Sequence, residues 1–247
     1  MLKAEDIARL ERATVAGVAP RRMMELDGWV LGLDGGPMGR ARSAAPLSHD
    51  PPPPLTPALA ESYAATGLAP AFRLPDLPVF AAARDLLRDG GFRPGEPTWV
   101  MTADPLAVAG YAGPGARRPE PVLLEAPDAA WTEAFCGPGF DAREGAQRVA
   151  QLSRSPGARF AAVRDGGRTL AVGVLSRAGG VGGIHGMRTA PDQRGRGHAG
   201  RILAAFARQA SDWGHEDLIL QVEAGNPARR LYRAAGFTEL WRYWYWR

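Results

Sequence analysis

Arg194-Gly195-Arg196-Gly197-His198-Ala199-Gly200 puts three glycines into seven residues and runs into a stretch where Ile202, Leu203, Phe206, Ala207, Ala210 and Trp213 keep one apolar stripe at spacings of 3, 4 and 7. Few folds accommodate that juxtaposition. Ile184–Thr189 reads as extended, Ala190-Pro191-Asp192 ends it, and a helix begins at the last glycines of the loop, so a strand-to-helix junction is specified here. A glycine loop opening a helix presents unpaired backbone N–H groups and the positive end of the helix dipole, and flanking arginines add charge. Such a junction cradles a phosphate or pyrophosphate.

The rest of the chain alternates short strands and helices. Ile7, Leu10, Thr14 and Val18 sit at helical spacing, and Gly17 and Pro20 then stop the helix. Gly28–Asp34 reads as a strand, Gly35-Gly36-Pro37 as a turn, and Gly39–Ala45 as a returning strand, which together predict a hairpin. Helices are expected over 55–67 and 79–89, a short extended piece over 71–74, and a strand over 98–102. In the second half, helices are expected from Ala129 and over 141–152, strands over 159–163 and 169–175, and a further strand over 218–222.

Residues 113–127 hold Pro114, Pro119, Pro121 and Pro127 with Gly113 and Gly115, a composition that breaks regular elements. This places a linker at 118–128 between a unit at 1–117 and a unit at 129–247. An internal echo supports two related halves: Leu86-Leu-Arg-Asp-Gly-Gly-Phe92 lies over Leu231-Tyr-Arg-Ala-Ala-Gly-Phe237, each a helix end, a Gly-Phe pair and an aromatic strand. Tyr232 answers to Leu87 in that alignment, and the first half has no counterpart of the Arg/Gly loop.

With 45% hydrophobic and 23% charged residues in 247, the chain has material for a sizeable core. Cys136 is the only cysteine, which removes disulfides and Cys-x-x-Cys chemistry, and the four histidines show no metal-ligand spacing, so no metal is expected. No run reaches the ~18 apolar residues of a membrane helix. The first six residues lack a signal-peptide apolar stretch, so a cytoplasmic protein without a membrane partner is expected. The formal charge of +4 comes almost entirely from arginine, which suits phosphate-bearing ligands. Asp192, Asp212, Glu216, Asp217 and Glu223 interrupt the arginines of the last third, so nucleic acid is not expected as a partner.

Two fingerprints overlap at the loop. Gly195-x-Gly197-x-x-Gly200 with Glu223 further on is the dinucleotide pattern, but Pro191–Arg194 separates strand from glycine and only 24 residues follow Glu223. The other is Arg194-x-x-Gly197-x-Ala199, followed by helix, strand 218–222, Asn226, and Leu231-Tyr232 before Gly236-Phe237. This order over about residues 159–247 resembles the GNAT family of acyl-CoA-dependent N-acyltransferases. Weaker similarity at Gly28-Trp-Val-Leu31 and Gly67–Arg73 makes the whole chain resemble a tandem GNAT protein with a degenerate first copy. The resemblance implies an α/β fold of two halves, each with a mixed, mostly antiparallel twisted sheet flanked by helices. It also implies acetyl-CoA as cosubstrate and an amine of a small molecule or peptide as acceptor.

By that resemblance, main-chain groups of Met187, Arg188 and Thr189 pair with pantetheine, backbone N–H groups from Arg194 through Gly195, Arg196, Gly197, His198, Ala199 and Gly200 hold the pyrophosphate, and Asn226 contacts pantetheine. Acyl transfer from a thioester to an amine needs a neutral amine, a stabilised oxyanion and a protonated leaving thiolate. Tyr232 resembles the family's thiolate-protonating tyrosine. The family's glutamate bases would fall near Gly183 or Gln221, which cannot take a proton, leaving His185 and Glu223 as the titrating candidates. His185 also reads as a satisfied core histidine, Asn226 as a turn-former before Pro227, and a chain lacking the glutamates also reads as a non-catalytic acyl-CoA sensor.

Overall fold

The structure, a computed structural model, describes residues 2–111, 119–137 and 141–247. The first half comprises α1 (Ala4–Gly17), β1 (Arg22–Leu26), β2 (Trp29–Leu33), β3 (Ala44–Pro46), α2 (Pro57–Ala64), β4 (Phe72–Pro75), α3 (Ala81–Asp89), β5 (Pro94–Ala103) and α4 (Pro105–Ala109). The second half comprises β6 (Val122–Leu124), α5 (Ala129–Phe135), α6 (Ala142–Leu152), β7 (Arg159–Asp165), β8 (Arg168–Ala178), β9 (Val181–Thr189), α7 (His198–Asp212), β10 (Asp217–Glu223), α8 (Ala228–Ala234) and β11 (Thr238–Trp246).

All eleven strands join one sheet in the order β1-β2-β3-β4-β11-β5-β10-β9-β8-β7-β6. Only the β3–β4 and β9–β10 neighbours are parallel. The echo seen in the sequence has a structural form, for α3–β5 and α8–β11 are its two copies and their strands lie side by side at the sheet centre. Each has crossed into the other half: β5 pairs with β10, and β11 pairs with β4. The mixed, mostly antiparallel sheet flanked by helices is therefore continuous across both halves.

The expected hairpin at 28–45 is corrected. The tight hairpin is β1–β2, turning at Asp27 (φ 50°) and Gly28 (φ 82°), both left-handed as a two-residue turn requires. Gly39–Arg42 is a 3₁₀ turn and only Ala44–Pro46 returns as a strand, because Gly35–Met38 swings the chain out before it comes back. Three elements were not anticipated: the edge strand β1, whose exposure is irregular; α4, which Asp104 caps by accepting from the Leu106 amide at 2.8 Å; and β6, seated between Pro121 and Pro127. Of the Pro/Gly-rich stretch at 113–127, residues 113–118, which include the first residue of the expected linker, lie outside the described residues.

The core lies on both faces of the sheet. On one, the α7 stripe of Ile202, Leu203, Phe206, Ala207 and Ala210 is almost fully buried against β8, β9 and β10, each large side chain contributing about 1.5–3 kcal/mol. On the other, α5 and α6 bring Trp131, Phe135 and Leu152 onto β7 and β8, with the Trp131 indole N–H donating to the Ala161 carbonyl at 2.9 Å. On the same face as α5 and α6, α1 packs on β2, β8 and β9, straddling both halves. Among the described residues no helix is long and apolar enough to cross a membrane, and no group of three His, Cys, Asp or Glu is arranged to hold a metal ion.

Candidate active site

β9 and β10 run in parallel register from Val181–Asp217 to Ile184–Leu220 and pair no further. The divergence has a local cause. Gly186 adopts φ 58°, and the β8–β9 register slips between Val172–Arg188 and Val174–His185, a bulge that bends β9 away from β10. Beyond Ile184 the β10-facing edge of β9 has no strand partner among the described residues, and Met187, Arg188 and Thr189 lie on this stretch.

A cavity of 540 Å³ opens at this splay. Its wall brings together His185, Met187 and Arg188 of β9, Glu223 of β10, Asn226 of the β10–α8 connection and Tyr232 of α8. Thr189 and Arg194 line instead a neighbouring cavity of 620 Å³, with Arg188 common to both. Residues 195–200 line neither.

The loop enters α7 through Gly195 (φ 73°) and Gly197 (φ 80°), conformations open to glycine, and Gly197 caps the helix with no side-chain acceptor. Among the described residues, no backbone carbonyl outside the helix accepts from the amides of Gly195, Arg196, Gly197, Ala199 or Gly200. No atom lies within 4 Å of where a Gly195 Cβ would stand, and Arg194 and Arg196 are exposed beside it. The site thus fits a phosphate group. The His198 side chain is buried, and Gly200 packs on Tyr111, whose ring a Cβ would meet at 2.8 Å.

Tyr232 leaves α8 almost buried, edge-on to Phe237 with centroids 6.1 Å apart, and burial pushes its phenol up to about 12. Asn226 Oδ1 accepts from the Ala228 amide at 2.9 Å, starting α8 and leaving the side-chain NH₂ for another partner. Glu223 ends β10 with its carboxylate exposed at the cavity. His185 is buried with Nε2 2.9 Å from Ser176 Oγ, and burial, reinforced by the Arg40 charge, holds its ring well below the ordinary imidazole range. A Cβ on Gly183 would stand 2.4 Å from Ser176 Oγ and 2.8 Å from His185 Nε2, so no glutamate fits at that position. Gln221 is committed too: its Oε1 accepts from the Tyr243 hydroxyl at 2.8 Å, and its Nε2 donates to Thr14 Oγ1 at 3.3 Å.

The cavity also has walls that sequence reasoning missed. Arg40 and Arg42 come from the 3₁₀ turn of the first half, Arg148 from α6, Phe135 from α5, and Tyr243 and Tyr245 from β11. Behind them Arg73 Nη1 stands 2.8 Å from Glu11 Oε2, with both side chains buried and the guanidinium 5.4 Å from the centroid of the Tyr243 ring. No local pattern flags these residues, since only the exchange of β5 and β11 gathers them.

A family profile described as "Probable histone acetyltransferase Rv0428c C-terminal" matches residues 4–246. No curated protein matches the chain. Among solved structures it is similar to a GCN5-related N-acetyltransferase from Kribbella flavida, with a TM-score of 0.69 and 17% identity over 97% of this chain and 94% of that one. It is also similar to a GNAT-family protein from Novosphingobium aromaticivorans, with a TM-score of 0.56 and 21% identity over 96% of each chain. A tandem GNAT protein from the clavulanic acid biosynthesis pathway matches with a TM-score of 0.55 and 13% identity over 99% of this chain and 96% of that one. At these identities the likeness is one of fold.

Proposed function

We propose, from the premise that the chain belongs to the family of the probable histone acetyltransferase Rv0428c C-terminal, that it transfers an acetyl group from acetyl-CoA to a primary amine of a small molecule or peptide. The observation that carries this reading is the splay of β9 from β10 with an uncommitted glycine loop at the end of β9. The free edge at Met187–Thr189 suits the amide-bearing pantetheine arm. The amides from Gly195 to Gly200, the start of α7, and Arg194 and Arg196 suit the pyrophosphate.

Residues 129–247 carry the chemistry in this reading, and 1–117 completes the sheet and the acceptor side of the cavity. When bound, acetyl-CoA supplies a thioester whose acyl carbon the amine attacks. Tyr232 acts as a hydrogen-bond donor to the departing sulfur. Surrendering its proton outright from a phenol at about 12 to a thiolate near ~8.5 would be uphill by roughly 5 kcal/mol. The proton that neutralises the sulfur therefore comes from the amine, whose acidity rises as it is acylated. An acceptor that arrives as ammonium first loses a separate proton through water to Glu223, exposed at the cavity, and the neutral His185 positions the bulged strand through Ser176.

Calorimetric titration with acetyl-CoA tests the reading. Micromolar binding is expected, weakened at least tenfold by Arg196→Glu. Absence of acetyl-CoA binding overturns it, and NAD binding in its place would return the loop to the dinucleotide pattern. The packed Gly183 and the committed Gln221 favour one second reading, a non-catalytic acyl-CoA sensor. Binding without turnover of any amine would select it.

A further inference from the structure

Arg40 and Arg42 are held at the cavity by close packing. Gly32 on β2 lets the strand touch their turn, since a Cβ there would lie 2.6 Å from the Ala41 carbonyl oxygen. Gly39 fits under Tyr245 of β11, where a Cβ would stand 2.9 Å from the ring carbon Cζ and from the hydroxyl oxygen. Ser43 Oγ closes the turn by donating to the Gly39 carbonyl at 2.8 Å. Ala41 points inward and is fully buried, so the two arginines beside it flank an anchored residue.

The charge on this wall is unbalanced. Its five arginines (40, 42, 148, 188 and 247) face two carboxylates, Glu96 and Glu223. Arg247 already holds Glu96 at 3.1 Å, and Arg148 holds Glu144 at 2.6 Å. Among the described residues, neither Arg40 nor Arg42 forms an ion pair. Glu11, the carboxylate that feels the field of Arg40, is taken by Arg73 at 2.8 Å. Arg40 is half-buried and Arg42 exposed beside the cavity, and a guanidinium without a carboxylate in such a place seeks an anion, its planar fork matching carboxylate or phosphate oxygens. The donor's phosphates are not that anion in the acyltransferase reading, because residues 195–200, which would hold them, contribute nothing to this wall.

Resting on that reading, we infer that the acceptor amine carries a carboxylate or phosphate, which Arg40 and Arg42 bind at the first-half side of the cavity. The same arginines repel ammonium, so a lysine-rich tail is a poor fit and the acceptor's amine end turns away from them, toward β9 and β10. They also favour the neutral form of a nearby amine, the reactive one. This offsets the missing carboxylates at 183 and 221.

The test uses the full chain loaded with CoA and calorimetric titration with matched probes. The pairs are 2-aminoethyl phosphate against ethanolamine and β-alanine against its amide, with a lysine-rich histone-tail peptide as the cationic probe. At least one anionic member is expected to bind tenfold or more tighter than its neutral partner and than the peptide. Arg40→Gln/Arg42→Gln is expected to erase that preference while acetyl-CoA affinity stays within twofold. Equal binding within both pairs, tighter binding of the peptide, a preference that survives the double substitution, or a loss of acetyl-CoA affinity in it would each overturn the inference. Failure of the unsubstituted chain to bind acetyl-CoA is a different result and strikes the acyltransferase reading instead.

Discussion

Glu11→Gln removes one charge from the best-buried ion pair among the described residues while keeping the side chain's shape. Glu11 and Arg73 are 3% and 0% exposed, their atoms stand 2.8 Å apart, and burial pushes the Glu11 carboxyl above its usual range while Arg73 pulls it down. The substitution leaves a guanidinium buried without its carboxylate, which costs about 3–5 kcal/mol. At roughly 2–4 °C per kcal/mol for a chain of this size, the melting temperature should fall by about 6–20 °C. A neighbouring pair that joins α1 to β1 is the control: Arg12 and Glu25 are 2.6 Å apart but 45% and 43% exposed, so Glu25→Gln should cost less than about 1 kcal/mol. Glu11→Met/Arg73→Met, which removes both charges and fills the space, should recover most of the loss. Thermal and urea unfolding of the four proteins would settle it. Equal losses in Glu11→Gln and Glu25→Gln, or a double variant no better than the single one, would refute the reasoning.

Tyr232→Phe keeps the buried ring and, in the proposed mechanism, deletes one hydrogen bond to the departing sulfur, so kcat should drop about 10- to 100-fold with acetyl-CoA affinity and melting temperature nearly unchanged. Thiol release by the variant at more than half the normal rate would remove Tyr232 from the mechanism. His49 is buried edge-on to Phe80 and Trp241, and burial lowers its imidazole to about 4. Because the unfolded chain takes up this proton near pH ~6.5 and the folded chain only near 4, the stability is present at neutral pH and lost on acidification. The loss is about 2 kcal/mol between pH 7 and 5. His49→Leu should flatten the pH dependence of the urea midpoint by that amount, and an unchanged slope would contradict it.

The last third of the chain was legible because its parts are consecutive. A strand, a glycine loop, an amphipathic helix and a second strand announce themselves by local rules, and His185, Met187, Glu223, Asn226 and Tyr232 meet in one cavity. Arg40, Arg42 and Tyr243 were not legible, since a 3₁₀ turn, an edge of the first half and a terminal strand share a wall only through long-range pairing. Residues 39–42 show why local pattern alone misleads: they read as the start of a returning strand, whereas they form a 3₁₀ turn packed closely on Gly32. Gly183 is the opposite case. The sequence reports only a missing acid there, whereas the structure supplies the reason, a β9 backbone with Ser176 and His185 packed against it.

The echoed helix–strand units bear on whether 129–247 stands alone. β5 pairs with β10 over Thr98–Ala103 and with β11 over Pro94–Thr102, so it occupies the lane between two strands of the second half. Without it β10 and β11 are left two strand spacings apart, about 9.6 Å, with facing rows of unpaired amides and carbonyls. The gap falls beside Gln221, Glu223 and Tyr243, on the cavity wall. A fragment of residues 118–247 should therefore be insoluble or aggregate, and adding residues 1–117 as a separate chain during refolding should restore a cooperative transition and acetyl-CoA binding. A fragment that folds alone and binds acetyl-CoA as tightly as the full chain would mean that β11 can close on β10 directly, and that the exchange of strands is dispensable for the site.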